Sequence, residues 1–217
     1  LLCLVPFNIT GSKILDKNKF SYLDISSFNL IINLNILLII SFLPISLNNS
    51  NLILSFSYLS LFFYKYLIKK DRFFFLMNFF KFKVIFFIIF FIISINIAAT
   101  LNLGWDAKYF YYIKSLFYIQ GQHFSDLQSF KHNVYHPHLG SFLWAFFSNI
   151  LPLKFEYFGR LLFVYFYLFS IFYICQNNTS NNFKSNLIFI LIITITYLYG
   201  RFSGLQEILL FSTLAIL

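Results

Sequence analysis

The chain has 217 residues, of which 59% are hydrophobic, 24% aromatic and only 11% charged, with a formal net charge of +9. A soluble domain keeps roughly a quarter of its residues charged, so a water-exposed globule is excluded and lipid is the expected solvent. In so apolar a chain the Lys and Arg bias of cytoplasmic loops accounts for the positive balance better than nucleic acid does, and no nucleic acid partner is expected.

A membrane span needs about 20 apolar residues. Residues 28–47 meet that requirement, the polar run "NNSN" at 48–51 is expected to close a turn, and 52–68 return as a slightly short second span. Residues 64–83, "YKYLIKKDRFFFLMNFFKFK", set Lys65, Lys69, Lys70, Arg72, Lys81 and Lys83 against the single acid Asp71. That cluster belongs in the cytoplasm by the positive-inside rule, with its Phe-rich middle lying along the membrane surface and its lysines snorkelling. Residues 84–103 are the clearest span and must then run outward, so the loop from Gly104 to about residue 160 is extracytoplasmic. Further spans follow at 161–175, at 187–199 and from 205 onward, with 176–186, "QNNTSNNFKSN", as a polar connection.

The expected fold class is therefore all-α: a polytopic transmembrane helix bundle with a large extracytoplasmic loop that contains juxtamembrane helices. Residues 1–83 form a hairpin and basic segment, and 84–217 a second transmembrane part. The sequence opens without Met and stops inside the apolar run "ILLFSTLAIL", which leads to the expectation of a piece of a longer protein. Cys3 and Cys175 make neither a disulfide framework nor a metal spacing.

Residues 139–153, "LGSFLWAFFSNILPL", bear on the topology. Fifteen helical residues rise about 22 Å, short of the roughly 30 Å hydrocarbon core. The segment is either a short span or a helix lying flat on the outer surface, and its length favours the flat helix. If it lies flat, the loop "YGRFSGLQE" at 199–207 returns to the side that holds Asp106; if it spans, Asp106 and Glu207 face opposite compartments.

Ionisable groups beside a membrane are costly and are functional candidates for that reason. Asp106 follows Trp105 at the outward end of the clearest span, where a plainer role is to cap the next helix behind an interfacial aromatic anchor. That next segment, "AKYFYYIKSLFYIQG", reads as an amphipathic surface helix with Lys108 and Lys114 among its aromatics and Gly121 as its terminator. In "YHPHLGS", His136 and His138 are two residues apart with Pro137 between them, so they cannot share a helix face. With His123 and His132 they still lack a metal-ligand spacing; hydrogen bonding to a phosphate or sugar suits them better, the plain alternative being a solvated interfacial turn. In "YLYGRFSGLQE", Arg201 suits bidentate phosphate contact, and a local ion pair with Glu207 is the alternative.

Taken together, "GWDAKYFYYIKSLFYIQG", "YHPHLGSFLWAFF" and "YLYGRFSGLQEILL" resemble the N-terminal half of the GT-C glycosyltransferase superfamily, in the polyprenyl-phosphate-sugar-dependent branch that includes protein O-mannosyltransferases and lipid A aminoarabinose transferases. The resemblance covers roughly residues 84–217. It departs at Ala107, where a second acid is frequent, at Pro137-His138 in place of a proline pair, at Glu207, where Asp is commoner, and in the hairpin that precedes the family's first span. It implies a multi-pass enzyme of the bacterial inner membrane that takes a sugar from a polyprenyl-phosphate donor to a glycan, lipid or protein acceptor. Asp106 would be the general base of an inverting transfer. Arg201, with Lys108 or His138, would stabilise the leaving phosphate, and His136 would line the same site. Glu207 would orient the acceptor or a divalent cation, no other cofactor being implied. A transporter is the first rival, and it calls for charges at mid-span, which the expected spans lack. A non-catalytic assembly protein is the second, with Trp105, Tyr135 and Trp144 as belt residues.

Overall fold

A computed structural model describes residues 22–64, 84–129, 138–149, 156–179, 181–200, 202 and 207–216, and every regular element among them is helical. The chain divides into two compact units, Leu1–Phe82 and Lys83–Leu217.

In the first unit, α1 (Tyr22–Phe42) and α2 (Leu47–Phe63) are joined by a tight reversal. Pro44 ends α1, because proline supplies no N–H and disfavours helix at the residue before it. Leu43 N–H donates to the Ile40 carbonyl at 3.0 Å and Ile45 N–H to the Leu43 carbonyl at 2.8 Å. Ser46 then caps α2, its Oγ accepting from Asn49 N–H at 3.4 Å. The turn expected at "NNSN" therefore falls four residues earlier, and those Asn residues open α2 instead. Asn33, fully buried in α1, accepts a hydrogen bond from the Tyr58 hydroxyl of α2, so the polar group inside this apolar hairpin is satisfied.

The second unit begins with α3 (Val84–Thr100), close to the expected span. A π-helical turn (Ala107–Tyr112) runs into α4 (Ile113–Ile119), and a 3-10 turn follows at Phe124–Ser129. Then come α5 (Leu139–Ser148), α6 (Glu156–Asn178), α7 (Asn182–Leu198) and α8 (Glu207–Ile216). The hub is α6, which touches α3, α5, α7 and α8. Its aromatic face knits three helices together: Phe86 of α3 meets Tyr165 and Phe172 at ring separations of 5.8 and 5.9 Å, and Phe189 of α7 meets Phe172 at 5.4 Å. The Tyr167 hydroxyl and Thr196 Oγ1 add a polar link between α6 and α7 at 2.6 Å. By length and composition α6 is long and apolar enough to cross a membrane. Its neighbours turn large apolar side chains outward: Ile88, Phe91, Ile92 and Ile95 on α3, and Leu187, Leu191 and Leu198 on α7.

One expectation changes here, and a second is only partly described. The polar connection at 176–186 is mostly helix, since α6 runs on to Asn178 and Asn181 caps α7 by accepting from Phe183 N–H at 2.9 Å and Lys184 N–H at 3.4 Å. The segment expected to lie flat over 139–153 is a ten-residue helix ending at Ser148, with residues 150–155 outside the described ones. Ten residues rise only about 15 Å, and eight of them are buried against the rest of the unit. Trp144, a belt residue on the assembly-protein reading, is fully buried and donates from Nε1 to the Glu156 carbonyl at 3.1 Å.

The close approach of α5 to α6 depends on Gly159. A Cβ there would run into the Trp144 ring and would stand 2.6 Å from the Trp144 carbonyl oxygen and 2.8 Å from Ser148 Oγ. Backbone cannot yield as a flexible side chain can, so Gly159→Ala should destabilise the protein by about 1–3 kcal/mol, as overpacking of a tight core does. Detergent-stability curves of the purified variant check this; a wild-type midpoint would mean that α5 moves away from α6 at little cost.

Candidate functional site

The end of α3, the start of α6 and the end of α7 meet at one end of the second unit. Leu101 terminates α3 with φ 50, a left-handed conformation that L side chains avoid, while its N–H still bonds to the Ile97 carbonyl at 3.0 Å. Such strain survives only where surrounding contacts enforce it. The next residue supplies one: the Asn102 carbonyl accepts from Arg160 Nη1 at 2.6 Å.

Arg160 is 2% exposed, an unusual place for a guanidinium in so apolar a helix. Its Nε lies 2.9 Å from Glu156 Oε1, one helical turn back. The two side chains form a buried ion pair. Nη2 is buried with no hydrogen-bond partner. Glu156 is fixed in turn through its backbone, whose carbonyl takes the Trp144 indole N–H and, at 3.5 Å, the Ser148 hydroxyl.

A cavity of about 350 Å³ opens beside this guanidinium. Asn96, Ile97, Thr100 and Asn102 line it from α3 and the residues after it, Arg160 from α6, and Tyr197, Leu198, Gly200 and Phe202 from the end of α7. Gly200 has φ 64, so only glycine turns the chain there without strain.

From Asn102 the chain runs four residues to Asp106, whose Cα therefore lies within about 14 Å of that of Asn102. Asp106 is exposed, has helical backbone angles and makes no side-chain cap hydrogen bond. The capping role that its position suggested is not what it performs. Lys108 bonds through its N–H to the Gly104 carbonyl, and its ammonium stands 5.5 Å from the centre of the Tyr109 ring. Trp105 is 66% exposed and contacts the Tyr109 and Phe110 rings. The segment joins the core through Tyr112, whose ring lies 5.7 Å from that of Trp144; burial, and then the Glu156 carboxylate, push the Tyr112 phenol above its usual pKa.

The helix continuing from Asp106 buries an unexpected face. Tyr111, Lys114, Ser115 and Tyr118 point inward, so Lys114 is not the surface lysine that the aromatic run suggested. Gly121, at φ 88, ends the helix as expected: its N–H reaches the Tyr118 carbonyl, and Gln122 N–H reaches the Phe117 carbonyl. His138 opens α5, half-buried, with its ring 4.4 Å from that of Phe124. Burial lowers the pKa of the Lys114 ammonium. Burial, and then the nearby Lys114 charge, hold the His138 imidazole below its usual value. A neutral imidazole both donates and accepts a hydrogen bond.

Of the residues singled out from sequence, Asp106 and Lys108 thus share one exposed turn, and His138 opens α5 against Phe124. His136 and Arg201 lie outside the described residues; in sequence Arg201 stands between Gly200 and Phe202, which line the cavity. Glu207 is the first residue of α8. Among the described residues no group of three or more His, Cys, Asp or Glu could hold a metal ion. Glu156 and Arg160 are not among the residues singled out from sequence; an acid and an Arg four apart at the mouth of an apolar helix were the available signal. Comparison of the chain with protein-family models, with curated proteins and with solved structures returns no match.

Proposed function

We propose that the chain is a polytopic membrane glycosyltransferase of the GT-C type, working at the extracytoplasmic face with a polyprenyl-phosphate-linked sugar as donor. The outward apolar faces of α3 and α7 around α6 support a lipid setting, since water-exposed surfaces rarely carry apolar patches of that kind. One observation carries the enzymatic half. The exposed, uncapped Asp106 lies on the segment whose start is held by the buried Arg160, so an acid and a guanidinium are tied into one end of the unit.

In this reading the acceptor hydroxyl attacks the anomeric carbon while Asp106 takes its proton. The bond from that carbon to the phosphate oxygen breaks, and the phosphate leaves with the electron pair. Cations meet the charge that develops: Lys108 on the Asp106 turn, and Arg201, the residue after Gly200 in sequence. His138 serves as a hydrogen-bonding group, and Glu207 orients the acceptor or a divalent cation. The test is transfer of labelled sugar from a polyprenyl-phosphate donor by membranes carrying the wild type or Asp106→Asn.

Topology offers a separate check. Because the ends of α3 and α7 line one cavity with the start of α6, the loops after α3 and after α7 should open on the same side. Single cysteines at Gln122 and Ser203, in a chain with Cys3 and Cys175 replaced by Ser, should both react with a membrane-impermeant thiol reagent on intact cells. Labelling at Gln122 alone would put Asp106 and the loop at 199–207 on opposite sides and remove the shared site.

A further inference from the structure

We propose that the apolar girdle of the second unit fits a bilayer thinner than average, so that the partner it selects is a membrane of short-chain lipids. This rests on the membrane setting proposed above and not on the transferase half of that reading. A spanning segment ordinarily matches a hydrocarbon core of roughly 30 Å. Here polar contacts between helices mark both ends of the lipid-facing zone, and they stand closer together than that.

At one end Arg160 of α6 bonds to the Asn102 carbonyl that follows α3, and Asn96, Thr100, Tyr197 and Leu198 line the cavity beside it. At the other end Gln176 Nε2 of α6 donates to Asn186 Oδ1 of α7 at 3.4 Å. From Arg160 to Gln176, α6 rises about 24 Å; from Asn186 to Leu198, α7 rises about 18 Å. The 17 residues of α3 rise about 26 Å. Three helices thus fall short of an average core by about 4–12 Å.

Between these marks the outward surface is apolar: Ile88, Phe91, Ile92 and Ile95 on α3, and Leu187, Ile190, Leu191 and Ile195 on α7. The hydroxyls of Ser94 and Thr194 are turned back onto the Phe90 and Ile190 carbonyls at 2.6 and 2.8 Å, so neither needs water. At the marks the exposed side chains change character, with Trp105, Tyr197 and Tyr199 towards the Arg160 end and Lys184 towards the other. Amphipathic rings and lysine stems of this kind settle where lipid meets water. A short apolar stretch draws the surrounding bilayer thinner at a modest cost per ångström, and a bilayer that is already thin removes that cost.

The experiment reconstitutes the purified chain, with Cys3 replaced by Ser, into vesicles of dimyristoleoyl, dioleoyl or dierucoyl phosphatidylcholine. These lipids share a headgroup and differ in acyl-chain length. Thermal unfolding is read as reaction of the remaining thiol, the buried Cys175, with a thiol-reactive dye. The midpoint should be highest in dimyristoleoyl vesicles and lower by at least about 4 °C in dierucoyl ones. Combining Gln176→Leu, Lys184→Leu and Asn186→Leu lengthens the apolar stretch of α7 by about one turn and leaves neither partner of the Gln176–Asn186 bond stranded. The highest midpoint of that variant should move to dioleoyl vesicles. A wild-type midpoint that ignores chain length, or is highest in the longer lipids, overturns the thin-bilayer fit whether or not the variant folds. A folded variant that keeps the wild-type order of midpoints overturns it too. Failure of the chain to float with any of the vesicles would remove the membrane setting itself. Insertion with equal midpoints leaves that setting and the transferase reading standing.

Discussion

Asp106→Asn should lower sugar transfer by about 10²–10⁴-fold, the contribution of a positioned general base. The substitution is a clean one at this position. Asp106 is exposed, its backbone is helical, and its side chain caps nothing, so an amide of the same shape leaves the π-helical turn and the Trp105–Phe110 ring contact undisturbed. Stability should therefore change by no more than about 0.5 kcal/mol, as is usual for surface substitutions. The expected pattern is a fall in turnover with donor affinity kept, because the proton transfer belongs to the transition state and the donor phosphate is held elsewhere. Turnover at the wild-type level in Asp106→Asn would remove the residue from the chemistry. A loss of activity that follows a loss of folded protein would instead make Asp106 structural, contrary to its exposed setting.

The position of Asp106 was legible because it depends on one boundary. The apolar run of α3 ends abruptly, and an Asp just beyond Trp105 stands out in a chain with so few acids. Gly121 was legible for a similar reason, since a helix that must stop in the left-handed conformation selects glycine. The turn of the first hairpin was misplaced because hydropathy weighs Asn above Pro, whereas the backbone does the reverse: Pro44 removes an N–H and Ser46 supplies a cap. Burial of Lys114 and Trp144 was not legible, because it follows from α5 packing against α4 and α6, contacts between separate helices that a pattern read along one segment does not register. Arg160 was missed for the same reason. A hydropathy window counts it as a flanking charge and cannot see that the α5 contact at Gly159 and the return of Asn102 seal it from water.

That sealing sets the size of the effect expected from Glu156→Gln. An exposed ion pair at i and i+4 is worth less than about 1 kcal/mol. Here the Arg160 side chain is 2% exposed and that of Glu156 15%, and the pair is at 2.9 Å, so removing the carboxylate strands a buried guanidinium. The cost of breaking a buried pair from one side is about 3–5 kcal/mol. Glu156 also lies in the first turn of α6, where a negative charge meets the positive end of the helix dipole, a smaller contribution of about 0.3–1 kcal/mol. Removing both charges should cost much less than the sum of the single changes, because the double variant leaves no unpaired ion. Denaturant titrations of Glu156→Gln, Arg160→Gln and the double variant, read as a cycle, measure the coupling directly. If each single change costs under about 1 kcal/mol and the two add, the pair behaves as though solvated.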